Sequence, residues 1–153
     1  MTTLLMGLAA GFFYTYSISI MPTLRGVDDR TFVDVMQKIN RDVQNPRFFL
    51  SFMGSLLFGL VTLIMFLGQP FEVLLPVILG FVAYFVCFAV TASGNVPMNN
   101  RLERKGDPSR ISDLALARKE FEDRWTRLNG IRAWAAFLGL GGMVWANIAY
   151  AAG

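Results

Sequence analysis

Apolar residues in this chain collect into four long runs, at residues 4–21, 48–67, 71–91 and 133–152, separated by two stretches that hold nearly all the charge. Each run is about 18 to 21 residues, the length a helix needs to cross a hydrocarbon core of about 30 Å at 1.5 Å per residue. The expected fold is therefore all-α: an integral-membrane four-helix bundle forming a single domain over 1–153, with charged loops at about 22–47 and 95–132. No Lys or Arg precedes the first run, so it is expected to be a retained helix rather than a cleaved leader. Asn45-Pro46 stops the chain before the second run, Gly68-Gln69-Pro70 turns it into the third, and Pro76 in the third predicts a kink or a delayed helix start.

The charged stretches carry helical patterns of their own. Phe32, Met36, Ile39 and Val43 recur at 4, 3 and 4, opposite Asp34, Lys38 and Arg41, which predicts an amphipathic helix over about 29–44 capped by Asp28 or Asp29. Leu114, Ala117, Phe121, Trp125 and Leu128 make a similar stripe over about 108–129, with Glu120–Arg124 and Asp123–Arg127 as i, i+4 pairs on the polar side. Two arrangements satisfy these patterns: helices lying along the headgroups, or spans that extend out of the bilayer with these segments capping the bundle. Both halves of the chain read as span, proline-containing exit, amphipathic helix, span, the exits being Ser17–Pro22 and Ser93–Pro97, so a parallel two-hairpin repeat is one reading of the pattern. Small residues at helical spacing, such as Ser51, Ser55 and Gly59 or Gly142 and Ala146, mark faces for close packing inside the bundle or across a dimer contact.

Charge sets the orientation. All 14 Lys and Arg residues fall between the first and second runs or between the third and fourth, which places both charged loops in the cytoplasm and both termini outside, most simply in the plasma membrane. Only 16% of residues are charged, against about a quarter in soluble domains. The net charge of +3 is spread among acids, so no continuous cationic surface for nucleic acid is expected. Cys87 is the sole cysteine and there is no histidine, which excludes an intramolecular disulfide and removes the usual haem ligand and general base. No phosphate loop, paired-cysteine metal site or histidine triad is present, and no acid lies at mid-membrane depth as a proton-coupled carrier would need.

Polar residues gather instead where the spans meet the charged loops. Asn95, Asn99, Asn100 and Arg101 follow the third run, while Trp125, Asn129 and Arg132 at spacings of 4 and 3 share one helical face as the fourth begins. Tyr14 and Ser17 share a face of the first. Such residues can equally cap helices and anchor an interface or hold a ligand, since amides both donate and accept.

The stretch Gly7–Ser17, then Met21-Pro22, Asp28-Asp29-Arg30-Thr31-Phe32 and Asn45-Pro46, followed by Asn95-Val96-Pro97-Met98-Asn99-Asn100 and by Phe121–Trp125, Asn129 and Arg132, resembles the anthrone-oxygenase-like family of small membrane proteins. The resemblance covers nearly the whole chain. It implies an oxidoreductase that uses O2 on a hydrophobic polycyclic phenol or anthrone without metal, flavin or other cofactor. Under that implication Asn95, Asn99, Asn100 and Arg132 are the candidate catalytic residues, and Tyr14, Ser17, Arg101, Trp125 and Asn129 the candidate substrate contacts. The expected partners are the lipid bilayer, an aromatic small molecule and a second copy of the chain. The competing reading is a non-enzymatic partner-binding subunit or scaffold, for which a filled bundle interior is expected; a pocket lined by the Asn–Trp–Arg cluster is expected for an enzyme.

Overall fold

The computed structural model describes residues 1–152 and consists of helices. Four are long and apolar enough to cross a membrane: α1 (Thr2–Arg25), α3 (Pro46–Met65), α4 (Phe71–Arg104) and α5 (Leu114–Ala152). Between α1 and α3 lies a shorter amphipathic helix, α2 (Asp29–Asp42). The chain is thus an integral membrane helical bundle. Its outward side chains, among them Leu4, Leu57, Ile64, Trp134, Leu138 and Ile148, are exposed and apolar, as contact with lipid requires.

Three of the four spans run further than their apolar lengths. The second charged stretch is not a separate amphipathic helix: α4 continues to Arg104, and α5 is a single 39-residue helix that begins at Leu114. Between Leu114 and Ala152 there is no proline, so nothing breaks the backbone ladder where the chain passes from charged to apolar. The proline-containing exits are not helix ends either. Before Pro22 and before Pro97 the helix widens by one residue, over Tyr16–Ile20 and Thr91–Asn95, and the ladder closes with i→i−5 bonds from the Met21 N–H to the Tyr16 carbonyl and from the Val96 N–H to the Thr91 carbonyl. A proline removes one helical donor and its ring presses on the carbonyl four residues earlier; a wide turn absorbs both effects without breaking the helix. Pro76 is likewise carried inside α4, which starts at Phe71.

The caps are local and legible. The Asp28 side chain accepts from the Thr31 hydroxyl (2.6 Å) and N–H (3.0 Å) to start α2, which holds its carboxyl below the ordinary range. Asn45 accepts from the Arg47 and Phe48 N–H groups to start α3, with Pro46 in the first turn. The end of α1 is capped from a distance. Arg118 on α5 donates to the carbonyls of Leu24 (3.2 Å), Arg25 (3.1 Å) and Val27 (2.7 Å), and its charge is balanced by Asp29 and Glu122.

Two cores are stacked along the bundle. The membrane core contains Met6, Ala10, Phe13, Phe52, Val77, Tyr84, Ala136 and Met143. The second lies at the charged end, where α2 presses Phe32, Val33 and Met36 onto Leu24, Leu102, Phe121 and Trp125 of the extended spans. Burying each such side chain contributes about 1.5–3 kcal/mol, so α2 is a docked cap and not a helix afloat among headgroups.

In lipid the spans gain little from hydrophobicity between themselves, and backbone proximity takes over. A Cβ on Gly142 would lie 2.6 Å from the Gly80 Cα and 2.9 Å from the Pro76 carbonyl oxygen; one on Gly80 would lie 3.0 Å from the Gly139 carbonyl. The α4–α5 contact is therefore backbone on backbone. Tyr84 adds a hydrogen bond to the Phe52 carbonyl (3.0 Å), and Thr2 reaches Phe58 and Thr62. Gly142→Ala forces these helices apart, at a cost of about 1–3 kcal/mol. Its thermal midpoint in detergent should fall by roughly 4–10 °C, while Gly141→Ala, whose Cβ would meet nothing within 4 Å, should leave it unchanged.

Candidate functional site

Where the two cores meet, the bundle is not filled. A cavity of about 320 Å³ opens there, walled by Phe12, Phe13, Tyr16, Phe48, Phe52 and Trp125 and fitted with Asn40, Gln44, Thr91, Asn99, Asn100 and Arg132. That volume is at the small end of the range, about 300–1,000 Å³, of ligand pockets. Each wide turn contributes its first residue, Tyr16 from α1 and Thr91 from α4, so the two proline-linked distortions face each other across the same space.

The polar groups are tied in a defined order. Asn129 donates to the Phe13 carbonyl (3.0 Å) and to the Ser17 hydroxyl oxygen (2.9 Å), and its own carbonyl oxygen accepts from Arg132 Nη2 (2.8 Å). Trp125 Nε1 donates to Asn99 Oδ1 (2.8 Å), and Asn95 Nδ2 donates to the Trp125 carbonyl (3.3 Å). Arg132 is 6% exposed, with its guanidinium carbon 4.6 Å from the Phe13 ring centre and 5.1 Å from that of Trp125. Both rings are within cation–π reach of the guanidinium. Among the described residues no acid forms an ion pair with it, and its Nε is buried without a hydrogen-bond partner. A buried cation without an anion is costly, and burying it calls for a compensating partner. What the arrangement can do is accept an anion, delivered with a flat apolar body.

Of the residues singled out in the sequence, Asn99, Asn100, Trp125 and Arg132 line the cavity. Asn95, Asn129 and Ser17 stand behind the wall as the bonds that fix Trp125 and Arg132. Tyr14 and Arg101 are elsewhere. Tyr14 is 46% exposed and packs edge-on against Phe137, 5.5 Å away, beside a groove on the lipid side. A helix turns about 100° per residue, so the aromatic that faces inward is Tyr16, two positions on. Arg101 lines a surface groove with Lys105, Glu120 and Arg124 outside the cavity. Sequence reasoning missed Asn40, Gln44, Phe12 and Phe48; for Asn40 the available signal was an amide four residues after Met36, within the apolar stripe of the predicted helix.

The fold and the cavity define a membrane-embedded helical bundle with a cationic, aromatic pocket at the junction of span and cap. The anthrone oxygenase family model matches residues 48–142, and the chain belongs to that family. No curated protein and no solved structure matches. The matched stretch carries Asn95, Asn99, Asn100, Trp125, Asn129 and Arg132, whereas α1 and α2, which supply the opposite wall, precede it.

The Asn129–Arg132 link yields a stability test. Asn129→Leu leaves the guanidinium without its hydrogen bond and should cost about 3 kcal/mol. Asn129→Leu/Arg132→Leu removes the stranded charge as well and should recover most of the loss in detergent melting; a double variant no more stable than the single one would show that the charge is not what strains the site.

Proposed function

We propose that this chain is a membrane oxygenase that converts an anthrone-like polycyclic phenol to the corresponding quinone with O2, using no cofactor. The observation that carries the proposal is Arg132: a buried guanidinium without an acid partner, close to two aromatic rings and lining an aromatic cavity. The filled interior that a scaffold would have is not what surrounds it. Family membership supports oxygenase chemistry of this kind.

In the proposed reaction the substrate provides all the electrons. Its ring methylene, held between two arenes, loses a proton as negative charge moves onto the carbonyl oxygen. Arg132 stabilises that oxyanion in a water-poor site, where a fixed charge acts far more strongly than in solution. Asn99 and Asn100 orient the carbonyl, and Trp125, Tyr16 and the phenylalanines hold the rings flat. The amide-lined end of the cavity gives the proton a way out to water. The carbanion carbon then bonds to O2; the peroxide takes up a proton, and loss of the second ring hydrogen with cleavage of the O–O bond leaves a carbonyl and one water. Anthrone and O2 thereby give quinone and water. With the charged end of the bundle in the cytoplasm, as the distribution of Lys and Arg favours, substrate reaches the cavity from the inner leaflet.

Purified protein in nanodiscs, given an anthrone, should consume oxygen and form quinone above the spontaneous rate. Arg132→Gln should lower that rate by about a hundredfold or more, as loss of one oxyanion donor does elsewhere, and Asn100→Ala should lower it less. Full activity in both variants would refute this assignment of the site.

A further inference from the structure

Arg132 gives the cavity one polar anchor, and α2 supplies a second. The buried side of α2 is an apolar stripe through Phe32, Val33 and Met36, and the next turn places Asn40 in it, 6% exposed. The other amides of this helix region are engaged. Gln37 donates to the Leu102 and Gly106 carbonyls, both at 2.9 Å, which ties α2 to the end of α4, and Gln44 donates to the Asn40 carbonyl at 3.0 Å. Asn40 is different: its Nδ2 is buried, has no partner, and its side chain lines the cavity. An idle buried donor destabilises a fold, whereas an apolar residue of similar size at this place would extend the stripe. Its counterpart in the cavity is Arg132 Nε, also buried without a partner, on a different helix.

We propose that Asn40 is a specificity-determining residue that donates to a second oxygen of the ligand, a ring hydroxyl or carbonyl distinct from the oxygen Arg132 neutralises. The proposal rests on the cavity being the substrate pocket, as argued above. It makes the docked cap helix a reader of substrate: α5 takes the charged oxygen, and α2 checks that the ring system carries another. Flat hydrocarbons and singly oxygenated ring systems fit the aromatic walls but leave the Asn40 donor unpaired, and a site built to bond a polar group rejects analogues that lack it.

The test compares two probes, a dihydroxyanthrone and unsubstituted anthrone, which has a single oxygen, binding without O2 to the full chain in nanodiscs and followed by quenching of tryptophan fluorescence. Wild type should bind the hydroxylated probe about tenfold more tightly, the value of one hydrogen bond. Asn40→Leu should erase that preference while leaving binding of the unsubstituted probe within about twofold. The same variant should melt at or above the wild-type temperature, because it removes an unsatisfied donor, and Asn40→Ala, which removes the donor without filling the cavity, should lose the preference too. A preference that survives in both variants, or a clear fall in the melting temperature of Asn40→Leu, would overturn the role of Asn40 and leave the Arg132 site standing. If wild type binds neither probe, the substrate pocket itself is wrong, and the inference falls with it.

Discussion

Everything in this bundle is registered by one contact, the backbone-on-backbone approach of α4 and α5 at Gly80, Gly139 and Gly142. Lipid supplies little hydrophobic drive between helices, so the packing that remains is short-range and needs surfaces without side chains in the way. Once those helices lie this close, their extensions toward the charged end are fixed as well. One brings Asn95, Asn99 and Asn100, the other Trp125, Asn129 and Arg132, and the two sets meet through the bonds Asn95–Trp125 and Trp125–Asn99. The polar cluster is thus a consequence of glycines in the membrane core several turns away.

The prolines play a second architectural part. Pro22 and Pro97 each sit at the end of a widened turn, and each turn sets one inward residue, Tyr16 or Thr91, against the cavity. Wide turns of this kind are uncommon and often occur at functional sites. Here two of them come from matching places in the two halves of the chain and border one space. Room for a ligand arises where helices are locally distorted, while the glycine contact keeps the rest of the bundle tight.

Much of this was legible in the sequence, for definite reasons. Uncharged runs of bilayer length reveal spans because lipid tolerates little else, and the 4-and-3 spacing of Trp125, Asn129 and Arg132 reveals a shared face because helical periodicity is local. Features that depend on distant partners stayed hidden. Pro97 looked like a helix end because local rules read proline as a break; only the wide turn lets α4 continue. Asn40 falls four residues after Met36, on the apolar side of the predicted helix, but that its donor has no partner emerges only once α2 is docked. Tyr14 was favoured over Tyr16 since sequence alone does not say which face of α1 meets α5. Arg132 stood out by its spacing from Trp125 and Asn129 and by the resemblance, but the absence of an acid beside it emerges only when the neighbouring helices are in place.

The central claim is that the cavity presents a positive charge to the oxygen of a bound aromatic. A hydroxyanthraquinone whose ionisation is visible by colour, titrated while bound to the protein in nanodiscs, reports on that charge directly. An apolar cavity alone raises the pKa of a bound phenol, whereas an adjacent guanidinium lowers it. The account predicts that the bound dye ionises at lower pH than the same dye in empty nanodiscs, and that Arg132→Gln reverses the shift. Ionisation at higher pH in the wild-type protein, unchanged by Arg132→Gln, would contradict it.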